Sequence, residues 1–278
     1  MSEITDTTKH DAMMAKILSG QKLESIDEIT DDYKRVLIAQ LRKQAVGELA
    51  GAHILLPWIK MAPTIDEMVD IAMMTKDEAR HAKVCFDLLE SLGVPTGEYY
   101  KQNHLYRSPF FSKRLKTWTQ LVVFNFFLFS SADHHFPYFS ICSWCPYNRM
   151  MRKILDDEVM HIAHGDSWME RLSQSPRTRE EAQCDLNYWF PKINSIFGSS
   201  EFKLNKASLK YKIQLRSSQE MRLAWYAEIK EKLEKNGYQV PPVEAIEYAK
   251  PHPGLVLLNW SGQIAKRWQR IVNRLKRI

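Results

Sequence analysis

Glu78-Ala79-Arg80-His81 and Glu158-Val159-Met160-His161 each set a carboxylate and an imidazole three residues apart. On a helix that spacing puts both side chains on one face, aimed at one point. Two such pairs, completed by one lone carboxylate from each of two further helices, are the ligand set of a di-iron or di-manganese centre inside a four-helix bundle. Iron accepts both carboxylate oxygen and imidazole nitrogen. Carboxylates also bridge two ions and offset their charge, and several acids buried in an apolar bundle are costly unless they coordinate or pair. Chance alone yields roughly 0.6 such pairs in a chain of this length and Glu/His content. Two pairs therefore need the support of the elements that carry them.

Those elements read as helices. Residues 9–19 predict a short helix ended by Gly20. A long one is expected over 32–61, interrupted by Pro63, and Thr64-Ile65-Asp66-Glu67 has the form of a capping box opening the next, over 65–92. Gly93-Val94-Pro95 is a helix stop. After a loop comes a very apolar helix over 112–136, then a connection from Pro137 to Pro146 and a helix over 146–172. Residues 179–197 are helical with Pro191 as a kink, and Ser217-Ser218-Gln219-Glu220 is a second capping box for a helix ending at Asn236-Gly237. No strand or internal repeat is visible. The prolines 241, 242, 251 and 253 mark a linker, dividing a helical domain at 1–250 from a C-terminal segment at 251–278.

Distances along the helices connect the candidates. Glu48 and Glu78 each lie about fifteen residues, or roughly 22 Å, from the turn at Pro63, so they are level across the hairpin. A lone Glu opposite a Glu-x-x-His is one half of the expected centre. For the second half, a turn at Cys145-Pro146 makes Asp133 level with Glu158, whereas a longer turn moves the level residue towards Asn125. Asp133 is the one acid between Glu98 and Asp156 and is the preferred ligand, with His134 and His135 beside it as reserve or supporting groups. Asp77 and Asp157 point to a different face from the ligands, where they can pair with cations or orient a ligand His.

Composition sets the wider limits. Hydrophobic residues make up 45% of the chain, ample for a core. The longest apolar run, Leu121–Phe129, is too short to span a bilayer. The first residues lack the pattern of a secretory signal, and Cys85, Cys142, Cys145 and Cys184 show no disulfide framework, so a cytoplasmic protein is expected. Cys142-Ser143-Trp144-Cys145 has neither the second pair that zinc needs nor a βαβ setting, and reads as a turn between helices. The net charge of +6 is uneven. The stretches 101–132 and 202–219 contain no acid, and basic loops of this kind can hold phosphates or simply face solvent.

The ordered motifs carry a resemblance. Glu48 is followed by Trp58-Ile59-x-x-Ala62-Pro63 and Asp77-Glu78-x-x-His81. Then come Cys142-Ser143-x-x-Pro146-Tyr147, Glu158-x-x-His161 and Trp189-Phe190-Pro191 leading to Phe197-Gly198. Over roughly residues 40–245 the chain resembles the catalytic subunits of the phenylacetyl-CoA and benzoyl-CoA epoxidase family. The resemblance implies an all-α, ferritin-like four-helix bundle with additional peripheral helices, and Glu48, Glu78, His81, Glu158 and His161 as ligands of two iron ions. Ligand type admits manganese or a mixed pair equally. The implied activity is an O2-dependent monooxygenase acting on an organic acid carried as a coenzyme A or carrier thioester. The family places an Asp 29 residues before the second Glu of the pattern, where this chain has Phe129, or Leu128 if one residue is inserted near Pro137. The alternatives are therefore a non-catalytic structural subunit, which the family also contains, and a di-iron oxidase without an organic substrate.

Partners follow from what the chain lacks and from its tail. No redox centre beside the metal pair is apparent, so a separate reductase is expected. Nucleic acid is not expected. Ile264, Trp268, Ile271, Leu275 and Ile278 form an apolar seam at alternating four- and three-residue steps, and Lys266, Arg267, Arg270, Arg274, Lys276 and Arg277 surround it. Such a basic amphipathic helix suits docking to a second copy, a homologous subunit or the reductase. A weak contact with an anionic membrane is the next reading, and packing back onto the chain's own bundle the plainest.

Overall fold

The computed structural model describes residues 2–97 and 115–241, with side chains from residue 7 onward. The C-terminal segment with its basic seam, and most of the first acid-free stretch, lie outside the described residues. Among those described the fold is all-α and ferritin-like. Eight helices are α1 (Ser2–Leu18), α2 (Asp31–Leu55), α3 (Ile65–Ser91), α4 (Trp118–Asp133), α5 (Cys145–Ser173), α6 (Pro176–Asn194), α7 (Lys203–Lys210) and α8 (Ser218–Lys235), beside short one-turn pieces. The one β-type contact among them is an isolated parallel bridge between Leu23 and Trp144. No helix among the described residues is long and apolar enough to cross a membrane.

Helix starts follow local chemistry. The hydroxyls of Thr30, Thr64 and Thr117 accept from the amides of Tyr33, Glu67 and Gln120, capping α2, α3 and α4. Pro146 sits in the first turn of α5 and Pro176 in that of α6, where the missing amide costs nothing. Ser217 and Glu220 form the expected reciprocal box at α8. The box expected at α3 is only half made. Glu67 gives its amide to Thr64, but its carboxylate turns inward to accept from His164 Nε2 at 2.9 Å, Trp168 Nε1 at 2.8 Å and Arg171 Nη1 at 2.9 Å. Those three donors outweigh burial and hold the Glu67 carboxyl below its ordinary pKa.

Several bounds differ from expectation: the helix expected over 9–19 begins at Ser2, that over 179–197 at Pro176, and that over 112–136 ends at Asp133. The helix predicted over 32–61 is α-helical only to Leu55 and continues as a 3-10 turn over Leu56–Met61, because Pro57 has no amide to extend the α ladder. The helix predicted from residue 112 begins at Trp118, where Thr117 supplies the cap.

Helices α2 and α3 form one hairpin, and α4 packs closely on α5. At that second contact Gly165 lets the backbones approach, since a Cβ there would come within 3.1 Å of Phe126 Cα. Residues 121–127 of α4 are all buried, which accounts for a helix apolar on every side. An apolar cluster around Tyr33, Phe86 and Tyr147 joins α1, α2, α3 and α5. A second, around Phe127, Phe190 and Trp225, joins α4, α5, α6 and α8. Leu55, Trp58, Ile71, Met74, Leu121 and Phe129 fill the space between the two hairpins. That packing sets the four core helices around one polar centre.

Candidate metal centre

Helices α2, α3 and α5 bring Glu48, Glu78, His81 and Glu158 together, with ligand atoms within 4.8 Å of one another and every residue buried. His161, fully buried, completes the group. Its Nδ1 lies 3.4 Å from Glu78 Oε1 and 3.5 Å from Glu158 Oε2. His81 Nδ1 lies 3.3 Å from Glu158 Oε1 and 3.5 Å from Glu48 Oε2. Glu158 thus stands between the two imidazoles, one oxygen towards each. These separations are not hydrogen bonds, and both Glu158 oxygens and both Nδ1 atoms are buried without a hydrogen-bond partner. Buried polar atoms left in this way are costly. Their convergence on one volume is what a cation would satisfy, and three carboxylates with two imidazoles are a donor set suited to iron or manganese. The residues present fit the metal pair that the sequence implies.

The far side of each imidazole faces an acid across the helix pair, with a hydrogen bond at His81 and none at His161. His81 Nε2 is 2.9 Å from Asp157 Oδ2, and Asp157 also pairs with Arg80. His161 Nε2 faces Asp77 Oδ2 at 3.8 Å. Each His is therefore backed by the Asp that precedes the Glu of the opposite motif. A proton kept on His81 Nε2 by Asp157 leaves the Nδ1 lone pair for the centre. Glu48 is held from the other direction, by Gln44 Nε2 at 3.2 Å, whose carbonyl accepts from Tyr147 OH at 2.7 Å. Glu78 folds over Gly51, where a Cβ would lie 2.1 Å from its Oε2.

With only protons to balance it, the cluster has displaced acidities. Burial, with neighbouring carboxylates, pushes Glu48 up and raises Glu78 to about 8. Burial opposes the charge on both imidazoles, but their carboxylate partners win, raising His81 to about 9 and His161 to about 10. Glu158 is driven the other way, because the two His partners outweigh its burial.

Asp133 does not join the group. It is exposed at the last residue of α4, where burial and Glu228 raise its carboxyl pKa, with His134 and Lys232 opposing. The position facing His161 is taken by Phe129, ring centroids 4.9 Å apart. Asp133 lies one helical turn beyond Phe129 on the same helix, so the residue level with the cluster is displaced by a turn from the one expected. Asn125 is buried with an unpartnered Nδ2. His134 binds Glu228 at 2.7 Å, and His135 donates from Nδ1 to Ser131 O at 2.8 Å. Neither is a ligand. Cys142 is buried in the turn before α5, as expected for the C-x-x-C. A second group, Glu67, Asp70 and His164, is close enough to share an ion, but Glu67 is already engaged by three donors.

The cluster opens onto a cavity of ≈ 140 Å³, lined by Glu48, Glu78 and Glu158, by the amides of Gln40, Gln44, Asn205 and Gln214, and by an apolar wall from α4 and from residues 136–139, 196–197 and 221. Sequence reading missed this cavity and Gly51; it allowed Asp77 and Asp157 to orient a ligand His but not that each faces the His of the opposite motif. Gly51 carried a signal, since glycine inside a helix costs about 1 kcal/mol against alanine and so calls for a reason.

A model of the family described as "Phenylacetic acid catabolic protein" matches residues 9–253. The chain is 24% identical over 243 residues to one of the subunits of the 1,2-phenylacetyl-CoA epoxidase of Escherichia coli (strain K12), a match that covers 84% of this chain and 78% of the relative.

Proposed function

The chain belongs to the phenylacetic acid catabolic protein family, and from that premise we propose that it is a non-haem di-iron oxygenase. It inserts oxygen, by epoxidation or hydroxylation, into an organic acid carried as a coenzyme A or carrier thioester. The observation that carries this reading is the buried cluster of two opposed Glu-x-x-His pairs with Glu48, open to an apolar cavity. Glu48, Glu78, His81, Glu158 and His161 would hold the metals, and manganese or a mixed pair would find the same donors suitable.

When bound and reduced, an iron pair supplies activation of O2. The protein's part is to place the substrate and keep water out. Asp157 fixes the orientation of His81, and Gln44 with Tyr147 fixes Glu48. Phe129 and Leu128 give the cavity an apolar wall beside the cluster. The relative's name makes it one part of a multi-chain epoxidase. That supports electron supply from a separate reductase, and assembly of this chain with a homologous subunit.

One observation favours a second reading, that of a non-catalytic structural subunit. Phe129 occupies the place facing His161 where a sixth ligand is expected. Oxygen uptake by the iron-loaded chain with a chemical reductant, measured with and without phenylacetyl-CoA, separates the readings. Uptake that rises on adding the thioester is the expected result. Uptake indifferent to it would mark an oxidase without organic substrate, and none at full iron loading would mark the structural subunit.

A further inference from the structure

The cavity contains one cation. Lys43 lies on α2 five residues before Glu48, about 7.5 Å along the helix axis, and is the one Lys or Arg lining the cavity among the described residues. Its Nζ has a single hydrogen-bond partner, Ile196 O at 3.3 Å. An ammonium has three donors, so two remain unspent. None of the three glutamates in the lining comes within ion-pair distance of it; their ion-pair contacts are with His81 and His161. Lys43 is part-buried, and its desolvation pushes the ammonium down to about 8. His135, the other basic side chain in the lining, does not share the role. Burial and then the Lys43 charge push it down to about 3, and it is a neutral ring that gives Nδ1–H to Ser131 O and stacks on Phe197 at 4.6 Å.

A part-buried ammonium with donors to spare, beside the apolar wall of a cavity, is placed to receive the acceptor oxygen of a ligand. The shape states what kind of ligand. A volume of ≈ 140 Å³ is close to that of an engineered cavity of about 150 Å³ known to take benzene. It therefore suits a hydrocarbon of about one ring.

We propose that Lys43 is the anchor for the acyl oxygen of a single-ring carboxylic acid or its thioester, whose hydrocarbon lies against Leu128, Phe129 and Phe136 with its far end at the carboxylate–imidazole cluster. This rests on the reading of that cluster as an oxygenase centre and adds to it the residue that recognises the substrate's acyl group. A free carboxylate and a thioester carbonyl present the same acceptor oxygen, and the experiment distinguishes them.

Binding of phenylacetate, phenylacetyl-CoA and 2-phenylethanol to the full chain, measured by titration calorimetry with and without iron, tests this. Lys43→Met keeps the apolar stem and removes the donor. It should weaken an acyl probe about 10- to 100-fold, the range of a hydrogen bond to a charged group, and weaken 2-phenylethanol, which offers only a hydroxyl oxygen, less. Loss confined to phenylacetate assigns the anchor to a free carboxylate, and loss confined to phenylacetyl-CoA to the thioester carbonyl. Equal affinity of wild type and variant for both acyl probes overturns the proposal. Lys43→Gln is the second variant, and if neither folds the wild type decides alone. A preference for an acyl probe over 2-phenylethanol of about tenfold or more supports the anchor, and a smaller one overturns it. Iron content of the same samples reports separately on the oxygenase reading, because probe binding is scored without turnover.

Discussion

Replacing Trp225 by alanine is expected to destabilise the fold by about 3–5 kcal/mol, the range for removing a large buried aromatic. Trp225 is fully buried on α8, stacked on Phe190 with ring centroids 5.7 Å apart. It also meets the rings of Phe127 at 5.9 Å and Phe197 at 5.3 Å, and donates from Nε1 to Ser130 Oγ at 2.9 Å. The substitution removes one ring contact from each of Phe127, Phe190 and Phe197 and leaves the Ser130 hydroxyl without its donor. Phe197 is also part of the cavity wall and Ser130 is on α4, so the damage reaches the candidate centre through packing alone. A lowered urea midpoint at unchanged m-value would be the signature. A midpoint within the error of wild type would contradict the packing described.

Glu158→Ala is expected to abolish metal binding, weakening it by more than 100-fold, beyond the roughly 10- to 100-fold typical of losing a supporting residue around a metal site. No other side chain in the cluster faces both imidazoles, one oxygen to each. Glu48 approaches His81 and Glu78 approaches His161, so removing Glu158 uncouples the two halves. The helical circular dichroism should persist, because the side chain lost is polar and hydrogen-bonds to nothing in the apolar clusters. Competition with a chelator reads the affinity, and retention of metal at wild-type strength would remove Glu158 from the ligand set.

Much of the fold is legible in the sequence because its signals are local. Thr30, Thr64 and Thr117 cap helices through their own hydroxyls, and Gly93 and Gly237 take positive φ values at helix ends. The pairing of Glu48 with Glu78 is legible from axial distance. It holds although Leu56–Met61 is a 3-10 turn with a longer rise per residue, since the error is spread over a single short segment. The fourth core helix defeats the same reasoning. Between α4 and α5 the chain makes a one-turn helix at Phe136–Phe139 and a bridge from Trp144 to Leu23. The connection is thus not a simple turn, and the residue level with the cluster moves by one helical turn, from Asp133 to Phe129. Phe129, an apolar residue in an apolar helix, carries no signal of standing opposite His161. Helix α7 shows in the sequence only as a basic stretch. Among its lysines Lys206 pairs locally with Glu201, and its one buried residue is Ser208. The crossed Asp157–His81 pair depends on the packing of α3 against α5, which no single-helix pattern encodes.

The central claim is that the buried cluster is a metal centre, and iron per folded chain measures it most directly. After anaerobic reconstitution and removal of loosely bound metal, the wild-type chain should hold about two iron ions, the complement of a paired Glu-x-x-His site. His81→Ala and His161→Ala, each folded by circular dichroism, should each hold clearly less. Iron content that neither substitution lowers, or a wild-type chain that holds none, would contradict the account.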